Sequence, residues 1–94
     1  MAQKENEIQS QVREYLRLKD WYVIRNQQSM GSHRGLADLT AVKNGRVVFI
    51  EIKTKKGKLS KHQEKFRDDI NAQGGEYVVI RSLDEIIYWE KVTG

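Results

Sequence analysis

With 94 residues, no cysteine and two histidines, the chain has no disulfides or thiolate metal sites and too few imidazoles for a conventional zinc site. No apolar run approaches the roughly 18 residues that span a bilayer, and the N-terminus lacks a secretory h-region. The expectation is one soluble, intracellular domain over residues 1–94, with no membrane partner. The 17 Lys and Arg against 13 Asp and Glu give a net charge of +4, which points to a polyanionic partner. That excess is local: Lys53, Lys55, Lys56, Lys58, Lys61, Lys65 and Arg67 stand against Glu64 alone.

Lys4–Lys19 carries Ile8, Val12, Tyr15 and Leu16 at the spacing of an amphipathic helix. Extended back by three residues, the stripe reaches Glu5, whereas Glu7 falls with Gln11 and Glu14 on the outer face. Glu5 is then either an inward carboxylate in need of a partner or a first-turn acid favoured by the helix dipole. Trp21–Asn26 reads as a short strand without clean alternation, expected to be buried on both faces. Gln27–Gly35 is polar and aperiodic, a connection long enough in so small a domain to be functional or mobile. Its Ser29, Ser32, His33 and Arg34 can donate to phosphate.

Within Leu36–Lys53, Asn44-Gly45 separates two β-rich runs, the strongest short-range signal for a type I′ hairpin. That turn pairs Lys43 with Arg46, Val42 with Val47, Ala41 with Val48, Thr40 with Phe49 and Leu39 with Ile50. One step further, Asp38 faces Glu51. Alternation puts Leu39, Ala41, Val48, Ile50 and Ile52 on one apolar face, and Asp38, Thr40, Val42, Val47, Phe49, Glu51 and Lys53 on the other. Carboxylates opposed in this way, with Cβ atoms roughly 4.5–5.5 Å apart in an ideal pair, repel and raise a pKa unless a cation sits between them. A solvated ion-pair cluster is the plain alternative, but Val47 and Phe49 on the same face weigh against full solvation.

Thr54–Lys58 is a basic turn. Ser60 and Gln63 have capping-box spacing for a helix with Phe66 and Ile70 on its apolar stripe, ended by Gly74-Gly75. Gln63 shares the register of Phe66, so it either caps or points inward. Glu76–Arg81 is a strand, and Ser82 with Glu85 repeats the capping box ahead of a final helix. Ile86, Ile87, Tyr88 and Trp89 cover more than one side of that helix, which meets either another subunit or its own core. The order α-β-β-β-α-β-α is a mixed sheet flanked by helices.

Two carboxylates on rigid strands suit Mg²⁺, which takes oxygen ligands and uses few protein carboxylates beside substrate phosphate. The backbone carbonyl of Ile52, and Glu5 through water, are candidates to complete the shell. A divalent ion there would activate water for in-line attack on a phosphodiester and offset phosphoryl charge. Lys53 would hold or deprotonate that water, or act as a fixed cation, while Lys55, Lys56, Lys58 and Lys61 clamp phosphates. The rival is a non-catalytic nucleic-acid-binding module built on the same basic segment.

Gly35–Asp38 (GLAD), Phe49–Lys53 (FIEIK), Gly57–Ser60 (GKLS) and Gln63 resemble the VRR-NUC family, virus-type replication-repair nucleases of the PD-(D/E)XK superfamily. The first helix and hairpin also resemble archaeal Holliday-junction resolvases, and the likeness covers nearly the whole chain. It implies a restriction-endonuclease-like α-β-β-β-α-β core, here with a short C-terminal helix, and an endonuclease using Mg²⁺ or Mn²⁺ on branched DNA. Four-way junctions are the expected substrate, with flap, nicking or restriction-like cutting as alternatives. By this resemblance the family's acids fall on Glu5, Asp38 and Glu51, its lysine on Lys53 and its motif glutamine on Gln63. The superfamily's proline is Ala37 here, and the Ser-Pro that often precedes the glutamine is Ser60-Lys61; neither position supplies a ligand. A two-fold-symmetric junction needs two cuts, so a homodimer of one-site chains is expected. The expected setting is the cytoplasm of a bacterial or phage-infected cell.

Overall fold

In the computed structural model, which describes residues 3–94, Asn44 and Gly45 have φ of 52° and 80°. Two successive positive φ values are what a type I′ turn requires, and they match the twist of the strands they join. Those strands, β2 (Leu39–Lys43) and β3 (Arg46–Ile52), pair antiparallel from Lys43 with Arg46 to Leu39 with Ile50, in the register the turn predicts. The ladder stops there, one pair earlier than expected. The backbone of Asp38 turns towards β1 (Tyr22–Arg25), where its carbonyl accepts from the Asn26 amide at 2.9 Å. Its side chain, not its main chain, meets β3.

The sheet order is β1-β2-β3-β4, with β4 (Glu76–Ile80) parallel to β3 after a crossover through α2 (Lys61–Ala72). Helices α1 (Glu5–Leu18) and α3 (Leu83–Thr93) pack on the face that presents Leu39, Ala41, Val48, Ile50 and Ile52, all buried. Helix α1 buries Ile8, Val12 and Leu16, the stripe whose extension is Glu5. On the opposite face α2 lies over β4, with Phe66 meeting Phe49 at 5.3 Å and Tyr77 at 6.0 Å. No helix among the described residues is long and apolar enough to cross a membrane.

Two expectations change. Strand β1 is not buried on both faces: it is an edge strand with Val23 in the core but Tyr22 70% and Ile24 44% exposed. The reason is coverage, because α2 packs on β4 and, among the described residues, no helix covers the outer face of β1 and β2. The second capping box is displaced by one residue. Ser82 Oγ accepts from the Glu85 amide, but the Glu85 carboxylate accepts from the Arg81 amide at 2.7 Å rather than from Ser82. The apolar surface of α3 divides: Ile86 is buried and Trp89 packs on the core, while Tyr88 and Val92 remain exposed.

At the turn end of the hairpin, Arg46 holds three elements together. Its Nε and Nη2 donate to Glu76 at 2.7 and 2.8 Å, and its Nη1 donates to the Thr93 carbonyl at 2.7 Å. The guanidinium also lies 5.5 Å from the Trp21 ring centroid and 5.2 Å from that of Trp89. Arg46→Ala should cost about 1–3 kcal/mol in urea unfolding, the sum of two cation–π contacts and a forked ion pair. An unchanged midpoint would show that this cluster adds nothing to stability.

Candidate active site

The open end of the hairpin brings acids together from three elements. Glu5 arrives from the first turn of α1, Asp38 from just before β2 and Glu51 from near the end of β3. One carboxylate oxygen from each lies within 4.8 Å of the others. Glu5 is exposed and Asp38 partly so, whereas Glu51 is only 1% exposed. Lys53, two residues along the same face of β3, places Nζ 3.6 Å from Glu51 Oε2 with its side chain 13% exposed.

Both central acids are tied by one oxygen only. Asp38 Oδ2 accepts from the Ile52 amide at 2.8 Å, replacing the backbone partner that this amide would have had in a longer ladder. Glu51 Oε2 accepts from Gln63 Nε2 at 3.1 Å, while Glu51 Oε1 is buried with no hydrogen-bond partner. Gln63 can do this because its side chain has two ends. Its Oε1 accepts from the Ser60 amide at 2.8 Å, completing the capping box of α2, and its Nε2 remains for Glu51. The cap and the inward-pointing side chain, alternatives in the sequence, are therefore one residue acting both ways.

Burial pushes the Glu51 carboxyl up from 4.5 to about 8, and the Asp38 charge adds to it. Lys53 pulls it back, and the charge of Glu5 raises it again. An orphaned buried oxygen among three carboxylates, with no imidazole or thiolate present, fits a hard divalent ion such as Mg²⁺ or Mn²⁺. Nearby, the buried Tyr77 hydroxyl has no hydrogen-bond partner, and burial together with Glu51 pushes its pKa up.

Several supporting residues carried no local signal. Asn26 Nδ2 donates to the Ala37 carbonyl and to Thr40 Oγ1, each at 2.9 Å, and Gln28 Nε2 donates to the Leu36 carbonyl at 2.7 Å. These bonds fix the backbone that carries Asp38. Gly35, at φ 74°, lies so close to the His62 carbonyl that a Cβ would overlap it. Arg81 Nη1 donates to the Thr54 and Gly57 carbonyls at 2.7 and 2.6 Å, closing the turn after Lys53. Such partners become visible only once β1 pairs with β2 and β4 with β3.

The candidate DNA-binding residues divide. Ser29 lines a cleft of about 840 Å³ beside Asp38, together with Gln9, Arg25 and Gln28, residues the sequence did not single out. Ser32 turns its hydroxyl inward to the Ser29 carbonyl. His33 and Arg34 lie against α2 instead, lining a groove with His62, Lys65, Phe66 and Asp69. Lys55, Lys56, Lys58 and Lys61 are all exposed, from the basic turn to the start of α2.

An α-β-β-β-α-β core with acids converging beside a lysine defines the class: a restriction-endonuclease-like nuclease fold. The family profile described as archaeal Holliday junction resolvase (Hjc) matches residues 1–82, and the chain belongs to that family. A solved structure titled "VRR_NUC domain" is similar in fold, with a TM-score of 0.82 at 18% identity over 96% of this chain and 97% of that chain. A search of curated proteins found no match.

The raised Glu51 pKa has a consequence for stability. The unfolded chain releases this proton near 4.5 and the folded chain near 8, so between them the native state binds more protons. Without divalent ions, stability should fall as pH rises through that window and then level off. Thermal melts in chelator should show that decline for the wild type and a flatter profile for Glu51→Gln, with the variant the more stable near the top of the window. Parallel profiles would contradict a proton held at Glu51.

Proposed function

We propose that residues 1–94 act as one Mg²⁺-dependent endonuclease domain that hydrolyses phosphodiester bonds in branched DNA, cutting four-way junctions as a homodimer. The observation that carries this reading is the convergence of Glu5, Asp38 and Glu51 within 4.8 Å beside Lys53, in a chain of the resolvase family. Asp38, Glu51 and the Ile52 carbonyl would hold the ion, with Glu5 contributing from α1; Mn²⁺ should substitute. When bound, such an ion supplies charge to offset the phosphoryl oxygens and acidifies a water for attack.

The chain's own residues do the rest. Gln63 and the Ile52 amide fix one oxygen of each acid and so leave the other directed at the shared position. Lys53, held by Glu51 in a mostly buried setting, is a cation that needs no reorganisation as charge develops on the phosphate. Lys55, Lys56, Lys58 and Lys61, with Ser29 from the loop before β2, hold flanking phosphates, so affinity should fall steeply with salt. No base-reading element is evident, which favours recognition of DNA shape. For the dimer, Tyr22, Ile24 and Val47 expose apolar surface on the half of the outer sheet that no helix covers.

A labelled panel of duplex, flap, fork and four-way junction, with Mg²⁺, tests the reading. Asp38→Asn keeps an oxygen for the Ile52 amide but removes the charge, and Lys53→Ala removes the fixed cation. Each should slow junction cutting on the order of 10²–10³-fold while junction binding in Ca²⁺ changes little. Cutting by the variants at the wild-type rate would remove the assignment. Binding without cutting by the wild type would favour the non-catalytic module, and equal rates on duplex and junction would favour a restriction-like enzyme. Sedimentation at micromolar concentration should give a dimer; a monomer that still resolves junctions would remove that part.

A further inference from the structure

Helix α2 presents a second chemistry beside the acidic centre. His62, Lys65, Phe66 and Asp69 fall on one stripe of it, at i, i+3, i+4 and i+7. The 27–35 loop is pressed onto that stripe at Gly35, and the His33 ring meets the Phe66 ring edge-on at 5.7 Å. Between them runs a groove of about 490 Å³ lined by His33, Arg34, His62, Lys65, Phe66 and Asp69. Its floor is aromatic and its rim cationic, and its one carboxylate, Asp69, is paired with Lys65 at 2.9 Å. Rings set among cations are what single-stranded nucleic acid needs, since every base offers a π-face and every phosphate a charge. Bases inside a duplex are already stacked and cannot reach such a floor. The groove and the reaction centre share helix α2, which carries both the groove's His62 and Gln63, bonded to Glu51.

We propose that this groove takes one unpaired nucleotide of the substrate, its base against the His33 ring above Phe66 and its phosphate on Arg34 and Lys65. The inference rests on the nuclease reading and deepens it: selection among branched DNAs comes from an unstacked nucleotide near the cut, beyond the shape of the duplex arms. His33 and Lys65 are exposed, so substituting them leaves the core intact.

The test measures binding of labelled oligothymidine, and of a duplex of equal length, to wild type, His33→Ala and Lys65→Ala in chelator. Each substitution should weaken oligothymidine binding roughly tenfold and duplex binding less than twofold, the duplex serving as the check that the variant is folded. Cutting of a junction with an unpaired nucleotide at its branch should also lose its advantage over a fully paired one. Unchanged oligothymidine binding in both variants, or an equal loss on oligothymidine and duplex, would overturn the proposal. If that happens while the wild type cuts branched DNA, only the groove assignment falls. If the wild type cuts nothing, the nuclease reading falls, and a selective loss of oligothymidine binding would still support the groove.

Discussion

Three carboxylates held within 4.8 Å of one another beside a single lysine are a conflict that the rest of this fold is arranged to sustain. Like charges at that distance repel, and burial makes the repulsion stronger by excluding water. The chain does not relieve this by letting the side chains swing away. The Ile52 amide holds Asp38 and the Gln63 amide holds Glu51, each by one oxygen. Half of each carboxylate is fixed and half is left for something positive. Burial, with the Asp38 charge added to it, raises the Glu51 carboxyl to about 8.

The distribution of stabilising contacts follows from that conflict. The buried cluster of α1, α3 and the inner sheet face occupies one side, and the Arg46 clamp with Trp21, Trp89 and Glu76 closes the turn end of the hairpin. The acids sit at the opposite end, on residues Asp38 and Glu51, each six residues from the Asn44-Gly45 turn and out of reach of the clamp. The backbone before Asp38 is secured instead by short polar bonds from Asn26 and Gln28, and the turn after Lys53 by Arg81. A rigid hairpin thus carries an unfavourable charge group whose unfavourable term disappears when a cation binds. Sites poised in this way trade stability of the empty state for readiness to bind.

Much of the hairpin was legible because its signals are local. An Asn-Gly turn and period-two alternation set the register from Lys43–Arg46 to Leu39–Ile50, and the same register brought Asp38 and Glu51 to one end. The last step was not legible in detail: the ladder ends at Leu39, and the two acids meet through side chains. The stripe Ile8, Val12 and Leu16 leads back to Glu5, an exposed first-turn acid that also brings one oxygen near Asp38 and Glu51, so both sequence alternatives hold in part. Strand β1 was misread because its burial depends on which half of the sheet α2 covers, a property of the assembled layers. For the same reason Asn26, Gln28 and Arg81 gave no signal, since each acts on backbone 8–27 residues away in sequence. Gln63 was read as cap or site because sequence spacing cannot show that one amide serves both.

The central proposal, that a divalent ion would bind among Glu5, Asp38 and Glu51 and displace the Glu51 proton, is tested most directly by calorimetric titration of Mn²⁺ into the metal-free protein in buffers of differing ionisation enthalpy. Ion binding to a protonated site must expel the proton. Near neutral pH the wild type should release about one proton per ion, the release should vanish well above the Glu51 pKa of about 8, and Glu51→Gln should bind weakly without release. Tight ion binding with no proton release at neutral pH, or binding undiminished in Glu51→Gln, would contradict the account.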